Sequence, residues 1–469
     1  MTTLLELVTR SRGAVVVDGR WFSVSDLMAR AERVAGGLRQ RGLGPNEGVL
    51  LVDDGTGADL LSGLLGTWWR GARPVVLAGT AGPAEMARVR AQSGAQLVVG
   101  AAARPGEELT STYAELRDCD ARPPGPECRP NHFALDIVTS GTTGTPKCVT
   151  FTHAALHRNV MSFADRLDLG RDDVLYTPLP LSIAGVVGMV LLPGLAAGAT
   201  VHLSRLTGPN LALAPRHLRE HQPTLLYGVP YMFEFMARQR ELAGCTRLRW
   251  AVCSSAPLPE TTFDRVWRHF GVPPRSSYCL AEAGTVTLNT SDDPEVLRTT
   301  VGEPLDGTSV ILEPLDTELD ESGTSGRIVV GGASPAAGYR SGRRLVPFPD
   351  GVVRTQDRGS FLGPNLAVLG RLDDVIQVAG HNVDLAHVRR VLLECPGLGE
   401  FAVVVDQHRH LGAVPVLVAE AGSLTATSEQ VIEYCRRSLR EVEVPREVRT
   451  VVKLVRTATG KVRADQGVR

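Results

Sequence analysis

The chain has 469 residues, too many for one ordinary core, so two or three domains are expected. Basic and acidic residues balance at 50 against 51, which argues against a nucleic-acid or polyanion partner. Apolar content of 43% is that of a globular protein, and the eight cysteines include no Cys-x-x-Cys pair, which speaks against a zinc ribbon or a redox dithiol. Thiols scattered along a long chain fit a reducing cytosol. The N-terminus lacks the basic-then-apolar pattern of a signal peptide. The most apolar window, residues 183–199, carries four glycines and a proline and is too short and too broken for a membrane span. A cytoplasmic protein is therefore expected.

The first hundred residues alternate strand and helix signals. Residues 15–17 and 21–22 flank an Asp18-Gly19 turn, which predicts a hairpin. Ser23 or Ser25 can cap a helix whose apolar positions Leu27, Ala31, Val34 and Leu38 recur at helical spacing. Buried strands are expected at 48–52, 74–77 and 96–99, with helices at 58–70 and 83–93 between them. Such alternation implies a parallel sheet covered by helices on both faces. Residues 103–130, rich in Pro, Gly, Arg and Glu, are expected to form an exposed connector without a core of its own.

The apolar run 133–138 leads into Thr139-Ser140-Gly141-Thr142-Thr143-Gly144-Thr145-Pro146-Lys147. Glycines let a backbone turn tightly and approach an anion, and N–H groups, hydroxyls and an ammonium can surround a phosphate. The stretch is not a Walker A loop, because neither Ser nor Thr follows Lys147 and the spacing Gly141-x-x-Gly144-x-x-Lys147 differs. A helix is expected at 153–167, and a strand–loop–helix order would aim a helix N-terminus at the anion.

Further strands are expected at 199–203 and 224–227, the latter ending at Gly228-Val229-Pro230, with a helix at 215–220. Residues 250–258 read as a strand running into a small-residue turn, and Tyr278-Cys279-Leu280-Ala281-Glu282 follows. Residues 300–368 look antiparallel, with short strands at 309–312, 326–330, 351–354 and near Phe361. Beyond Thr355-Gln356-Asp357 and Gly370-Arg371-Leu372-Asp373-Asp374, strands at 400–405, 414–419 and 449–454 and a helix at 429–439 predict a compact α+β unit. Thr457-Ala458-Thr459-Gly460-Lys461 nearly ends the chain.

Taken singly, each of these motifs would pass for an ordinary turn. In this order they resemble the adenylate-forming enzymes, the superfamily of acyl- and aryl-CoA synthetases, nonribosomal adenylation domains and luciferases, from about residue 10 to residue 463. The resemblance implies an α/β fold: a large N-terminal domain of stacked αβ sheet layers plus a β-rich subdomain (1–369), a hinge (370–374) and a small mobile α+β C-terminal cap (375–469). It implies that Thr139, Ser140, Gly141, Thr142, Thr143, Gly144 and Lys147 hold the phosphates of ATP. Ser255, Ala256, Pro257, Tyr278, Cys279, Leu280 and Ala281 would surround the adenine, Asp357 would bind the ribose, and Arg371 would reach the ribose or phosphates. Glu282 would hold Mg2+, a hard cation that prefers carboxylate and phosphate oxygens. Thr142, Glu282 and Lys461 would be the catalytic set, with Lys461 neutralising charge at the reacting centre. Asp373 is the hinge candidate, since a short polar residue can absorb a large backbone rotation.

The resemblance also implies that Ser182, Ala184, Tyr227, Gly228, Ser254 and Ala283 line the acid's pocket. The chain departs from the family pattern at Ser182, where an aromatic–His pair usually stands, at Ser254 and Ser255 in place of glycines, at Ala281 in place of threonine, at Gln356 in place of glycine, and at Leu385 and His387 in place of proline and glutamate. Ala281, with Asp292-Asp293-Pro294-Glu295 further on, resembles the aryl-acid branch.

The implied chemistry is in-line attack of a substrate oxyanion on the α-phosphorus of ATP with release of pyrophosphate. No aspartate lies near 181–185 to pair an α-ammonium group, which disfavours an α-amino acid, and the small wall residues suit an aryl or short acyl acid. The acceptor would be CoA or the thiol of a free-standing carrier protein, as no carrier domain is appended. An alternative keeps the fold but uses a non-thiol acceptor: an amine, or nitrite activated for an aryl amine. Retained Lys147, Glu282, Asp357 and Lys461 argue against a third reading, a degenerate nucleotide-binding relative.

Overall fold

Aliphatic runs without polar alternation mark strands covered on both faces, and all six residues of Gly48–Asp53 are buried. The computed structural model describes residues 2–17, 19–54, 57–101, 110–119, 123, 125–139, 147–206, 208–239, 246–315, 324–379, 381–409 and 411–454. They fall into two units, the first comprising Met1–Ser309 and Val330–Val353, the second Val310–Val329 and Arg354–Arg469. The α/β class expected from the sequence is the class observed.

The first unit holds two large sheets. One runs from edge to edge through Arg344–Val346, Gly338–Ser341, Cys148–Thr152, Phe133–Val138, Arg73–Ala78, Gly48–Asp53, Ala95–Gly100 and Thr110–Thr112. The other runs through Pro274–Ser276, Trp250–Cys253, Leu225–Gly228, Val174–Thr177, Thr200–Leu203, Ala14–Val17 and Arg20–Ser23. Every neighbouring pair in the second sheet is parallel except the terminal hairpin. Their carboxyl ends therefore lie along one edge, where ligands of open α/β sheets bind.

Several expectations are corrected. The first hundred residues do not build one sheet: Ala14–Val17 pairs in parallel with Thr200–Leu203, in a different sheet from the strands at 48–100. Residues 103–130 are not merely a connector. Thr110–Thr112 adds an edge strand, and the helix Tyr113–Arg117 starts at a Thr112/Glu115 capping box. That helix buries Tyr113 and Leu116, and the Tyr113 hydroxyl donates to the Val52 carbonyl. Two apolar side chains on a five-residue helix leave too little periodicity to read. The expected strands at 351–354 and 361 are one ten-residue strand, Val353–Leu362, which shifts register at Arg358/Gly359.

The apolar window after Ile183 is a helix with a π-helical turn at Val187–Leu191. Pro193 has no N–H to give the Met189 carbonyl, so the regular ladder cannot close there. Among the described residues no helix is long and apolar enough to cross a membrane.

The strands Thr308–Glu313, Ser325–Gly332, Val353–Leu362 and Asn365–Arg371 form a four-stranded sheet, most of whose residues belong to the second unit. The C-terminal part is the expected α+β body. Its sheet contains His381–Asp384, Val375–Val378, Gly412–Glu420, Phe401–His408 and Val448–Val451, packed with the helices Leu385–Leu393 and Ser428–Ser438. Val378, Val383, Val388, Leu392, Leu417, Val431 and Cys435 form its core.

The first unit buries an ionic triad. Asp136, on Phe133–Val138, pairs with Arg73 of the adjoining strand and lies 3.7 Å from Arg340 Nε on Gly338–Ser341. Thr150 donates to Asp136 Oδ1 at 2.6 Å and accepts from Arg340 Nε at 3.0 Å. All four residues are at most 4% exposed. Removing one partner from a buried pair strands the others without water and costs about 3–5 kcal/mol. Asp136→Asn should thus lower the urea midpoint by that equivalent, whereas a loss below about 1 kcal/mol would mean that the two arginines find other partners.

Two histidines predict a pH dependence. His153, fully buried, accepts from the Leu4 N–H at 3.4 Å and meets the Trp68 ring edge-on, and burial pulls it down to about 3. His202 stacks 4.1 Å from His221 with His217 close by, and burial, then those two neighbours, pulls it down to about 4. Both are neutral in the folded chain, while the unfolded chain takes up protons below about 6.5. Stability present above that pH is lost progressively as pH falls towards about 4 and then 3. Urea midpoints measured against pH should fall less steeply through this window in His202→Asn than in the unaltered chain.

Candidate active site

The phosphate-loop motif is the excursion between two antiparallel strands. Val138 faces Cys148 across Phe133–Val138 and Cys148–Thr152, and the Thr139 N–H donates to the Lys147 carbonyl at 2.8 Å, closing the loop's mouth. Ser140, Gly141, Thr142, Thr143 and Gly144 lie outside the described residues. The expected strand–loop–helix order is corrected to strand–loop–strand–helix. The alternating, partly β-branched Cys148-Val149-Thr150-Phe151-Thr152 forms a buried strand first, and the helix His153–Arg166 begins six residues after Lys147, capped by the Thr152 hydroxyl. That helix N-terminus cannot serve the loop as the shorter order implied.

Lys147 is exposed, and its ammonium sits over the Tyr339 ring, 5.3 Å from the centroid. The Tyr339 hydroxyl donates to Glu282 Oε1 at 2.8 Å. Burial, then the adjoining Glu282 carboxylate, raises the Tyr339 hydroxyl above its ordinary range, so it remains a donor. One ring thereby joins Lys147 and Glu282, which stand 135 positions apart in the sequence. Tyr339 was not among the expected site residues, and no local pattern marks it.

Glu282 lies at the tip of a small hairpin in which Cys279 faces Thr285 and Leu280 faces Gly284. Its carbonyl accepts from the Ala336 N–H at 2.9 Å. Gly284 has φ +67°, and a Cβ there would come within 2.7 Å of Asn159 Oδ1, so glycine is required twice over. Asn159, buried on the helix His153–Arg166, donates to the Thr285 carbonyl at 2.7 Å and accepts from the Thr285 N–H at 3.1 Å. This side-chain clamp is a second feature that the sequence did not announce. Tyr278 leads into the hairpin; its carbonyl accepts from Val286 and Thr287, and Ala281 is half-buried at the turn.

The expected pocket residues fall into two groups. Tyr227 is 1% exposed, and its hydroxyl lies 2.8 Å from Ser254 Oγ, also buried. The same hydroxyl packs so closely on Gly185 that a Cβ there would lie 2.3 Å away. Gly228, next in the strand, backs onto the Phe233 ring, and Ala283 is fully buried. Ser182 faces elsewhere. Its hydroxyl and backbone N–H both donate to the Asp53 carboxylate, which also takes Arg205 Nη1 at 3.1 Å. Burial raises the Asp53 carboxyl, against the opposing pull of Arg205 and Ser182. Ala184 is half-buried just beyond.

Cys279 touches Met189 Sδ at 3.9 Å and Ser277 Oγ at 3.4 Å. Burial raises both its thiol and that of Cys253, which suits packing rather than nucleophilic attack.

In the second unit, Asp357 and Arg371 stand directly opposite on Val353–Leu362 and Asn365–Arg371, with Nη1 3.6 Å from Asp357 Oδ1. Arg371 also grips Asp373 through two bonds of 2.7 Å, and this pairing draws the Asp373 carboxyl below its usual range. Arg358 pairs with Asp384 at 2.7 Å, and Asp384 caps the helix Leu385–Leu393. Leu385 belongs to that body's core. Lys461 lies outside the described residues.

Among the described residues no cluster of three His, Cys, Asp or Glu side chains could cage a metal ion. A single carboxylate with one oxygen already oriented by a tyrosine is a donor set that fits Mg2+, which takes one or two carboxylates and completes its shell from substrate phosphates and water.

Ser255, between Ser254 and Ala256-Pro257, has φ +78°, a left-handed conformation that costs a side-chain-bearing residue about 1–2 kcal/mol. Ser255→Gly should therefore fold as well or gain up to about 1 kcal/mol, and Ser255→Val should lose about 2 kcal/mol, both read from urea midpoints. Equal stability of the three forms would mean that the turn relaxes in solution.

Residues 7–340 match the family model of AMP-binding enzymes, and residues 388–461 match that of the AMP-binding enzyme C-terminal domain. The chain is 29% identical over 466 residues to the feruloyl-CoA synthase of an Amycolatopsis species, spanning 96% of this chain and 94% of that one. Its structure is similar to that of the o-succinylbenzoate CoA synthetase of Bacillus subtilis in complex with an acyl-adenylate intermediate. The TM-score is 0.86 at 21% identity, over 100% of this chain and 98% of that one. The same enzyme in complex with ATP and a magnesium ion gives a TM-score of 0.85 at 21% identity, over 99% and 98% of the two chains. With more than two thirds of its length inside the first of these family models, the chain belongs to the AMP-binding enzymes.

Proposed function

We propose that the protein is an ATP-dependent, AMP-forming ligase for a small aryl or short acyl carboxylic acid, with CoA or a carrier-protein thiol as acceptor. The observation that carries this reading is the Lys147–Tyr339–Glu282 cluster beside the closed mouth of the 139–147 loop, in a chain that belongs to the AMP-binding enzymes. The feruloyl-CoA synthase likeness over nearly the whole length supports an aryl acid. Tyr227 and Ser254, two of the expected pocket residues, form one buried hydroxyl pair and carry no charge, which fits an acid whose body is uncharged.

In this reading an oxygen of the substrate carboxylate attacks the α-phosphorus of ATP, the bond to the bridging oxygen breaks, and pyrophosphate leaves. Lys147 and the loop backbone hold the departing phosphates. Bound Mg2+ would supply charge neutralisation on those phosphates, with Glu282 as its protein ligand. Tyr278 and the Ser254-to-Pro257 turn take the adenine side. Asp357 accepts from the ribose hydroxyls, with Arg371 behind it, and Lys461 neutralises the reacting centre. The acceptor thiolate then attacks the acyl carbonyl and AMP departs. The hinge lies at 370–374, where the Arg371–Asp373 fork must open for the backbone to rotate.

A second reading keeps the adenylate but changes the acceptor to an amine, or the substrate to nitrite. It is favoured by Ser182, which stands at the usual gate position and is bound to Asp53, and by Leu385, which is core. Pyrophosphate exchange and AMP release across aryl acids, short acids and nitrite separate the two. Aryl acids with CoA should give AMP. AMP from nitrite plus an aryl amine, and from no acid, would overturn the first reading. Lys461→Ala should cut exchange by at least about a hundredfold with an unchanged urea midpoint, the scale of lost transition-state charge stabilisation; unchanged exchange would remove Lys461 from the mechanism.

A further inference from the structure

The Gly338–Ser341 strand sends its side chains alternately to two faces, as any strand does. Arg340 turns inward to Asp136 and is 4% exposed. Tyr339, its neighbour, turns the other way and meets Lys147 and Glu282. The Phe348 ring stands edge-on to Tyr339 at 5.1 Å and fixes its plane. The backbone repeats the linkage: Ala336 donates to the Glu282 carbonyl at 2.9 Å, and Ala337 donates to the Thr150 carbonyl at 2.8 Å. The short segment from Ala336 to Arg340 thus ties the Glu282 hairpin to the strand that follows the phosphate loop.

A glutamate at the tip of a short hairpin has a freely rotating carboxylate unless something holds it. Tyr339 occupies Oε1 and leaves Oε2 for a cation. An ammonium on a long side chain beside the loop would likewise wander, and the ring face gives it a resting place. Mg2+ and a phosphate chain approach a carboxylate and an ammonium together, so their separation matters as much as their presence.

We propose that Tyr339 is a positioning residue that sets the Glu282 carboxylate and the Lys147 ammonium for a magnesium–nucleotide pair. This rests on the ATP-dependent reading above and assigns Tyr339 a part in it. Tyr339 contacts the two charged side chains and acts through them. Its hydroxyl governs the metal-dependent part of nucleotide binding, and its ring governs the metal-independent part.

The full-length chain and its Tyr339→Phe and Tyr339→Leu forms are titrated with ATP by calorimetry, once in excess EDTA and once in saturating Mg2+. In the unaltered chain Mg2+ should tighten ATP binding. Tyr339→Phe should bind metal-free ATP within about twofold of the unaltered chain but lose about tenfold of the Mg2+-dependent gain, the size of one hydrogen bond to a charged group. Tyr339→Leu should lose affinity in both conditions. In AMP release, Tyr339→Phe should raise the half-saturating Mg2+ concentration while leaving the KM for the acid unchanged. If Tyr339→Phe matches the unaltered chain in both titrations, the proposal fails. It fails equally if Tyr339→Phe weakens both titrations by one common factor, since that is the mark of a purely structural tyrosine. If the unaltered chain binds no ATP in either condition, the ligase reading falls and takes this inference with it, an outcome distinct from the other two.

Discussion

Asp136 lies out of water between Arg73 and Arg340, and one carboxylate can satisfy two guanidiniums only while the strands that carry them keep their register. Those strands are Arg73–Ala78, Phe133–Val138 and Gly338–Ser341, and Thr150 locks in the fourth, Cys148–Thr152, by donating to Asp136 and accepting from Arg340. Two of the four are the strands between which the 139–147 loop is strung. A one-residue slip of either would turn Asp136 or Thr150 to the opposite face and leave the guanidiniums buried without a counter-ion. The electrostatic demand of the core thus holds the loop's two ends 2.8 Å apart at Thr139 and Lys147. Burying charge is a poor route to stability, but it penalises every alternative register heavily.

The second sheet meets its task by different means. Its parallel strands deliver Gly228, Ser254 and Ser277 to one edge, and the side chains there are neutral. Order comes from close contact: Tyr227 against Gly185, Gly228 against Phe233, and the Asn159 amide clamped on Thr285. Small residues and one left-handed serine let backbone and rings approach where a larger side chain would intrude. The contrast is between an edge ordered by neutral close contact and a loop whose two ends are held by a buried ionic triad.

Much of this was legible in the sequence, because periodicity, caps and turn chemistry are local. The helix Val24–Gln40 begins at Ser23, one of the two serines expected to cap it, and Phe133–Val138 leads into the glycine-rich loop. Asp357 and Arg371 were each marked by a short motif, but their pairing across two strands was not foreseen. What stayed hidden depends on partners distant in the chain. Arg73, Asp136 and Arg340 span 267 positions, and each alone reads as a solvated charge. Tyr339 follows a glycine in an unremarkable hairpin and acquires meaning only beside Lys147 and Glu282. The strand between Lys147 and His153 was overlooked because a glycine-rich phosphate loop so commonly opens a helix, and the alternation of Val149 and Phe151 with Thr150 and Thr152 was the signal against that habit. The Tyr113–Arg117 helix shows the opposite failure, a polar composition hiding two core side chains.

The Gly338–Ser341 strand has a consequence for how this enzyme can change over generations. Adjacent residues on it face the buried triad and the charged cluster, so a substitution that shifts the strand to repair one face displaces the other. The integrity of the buried triad and the setting of the charged cluster are there inherited together. Variants selected for heat resistance are expected to accumulate elsewhere, along the exposed helices, and this four-residue ribbon should be the slowest part of the chain to drift.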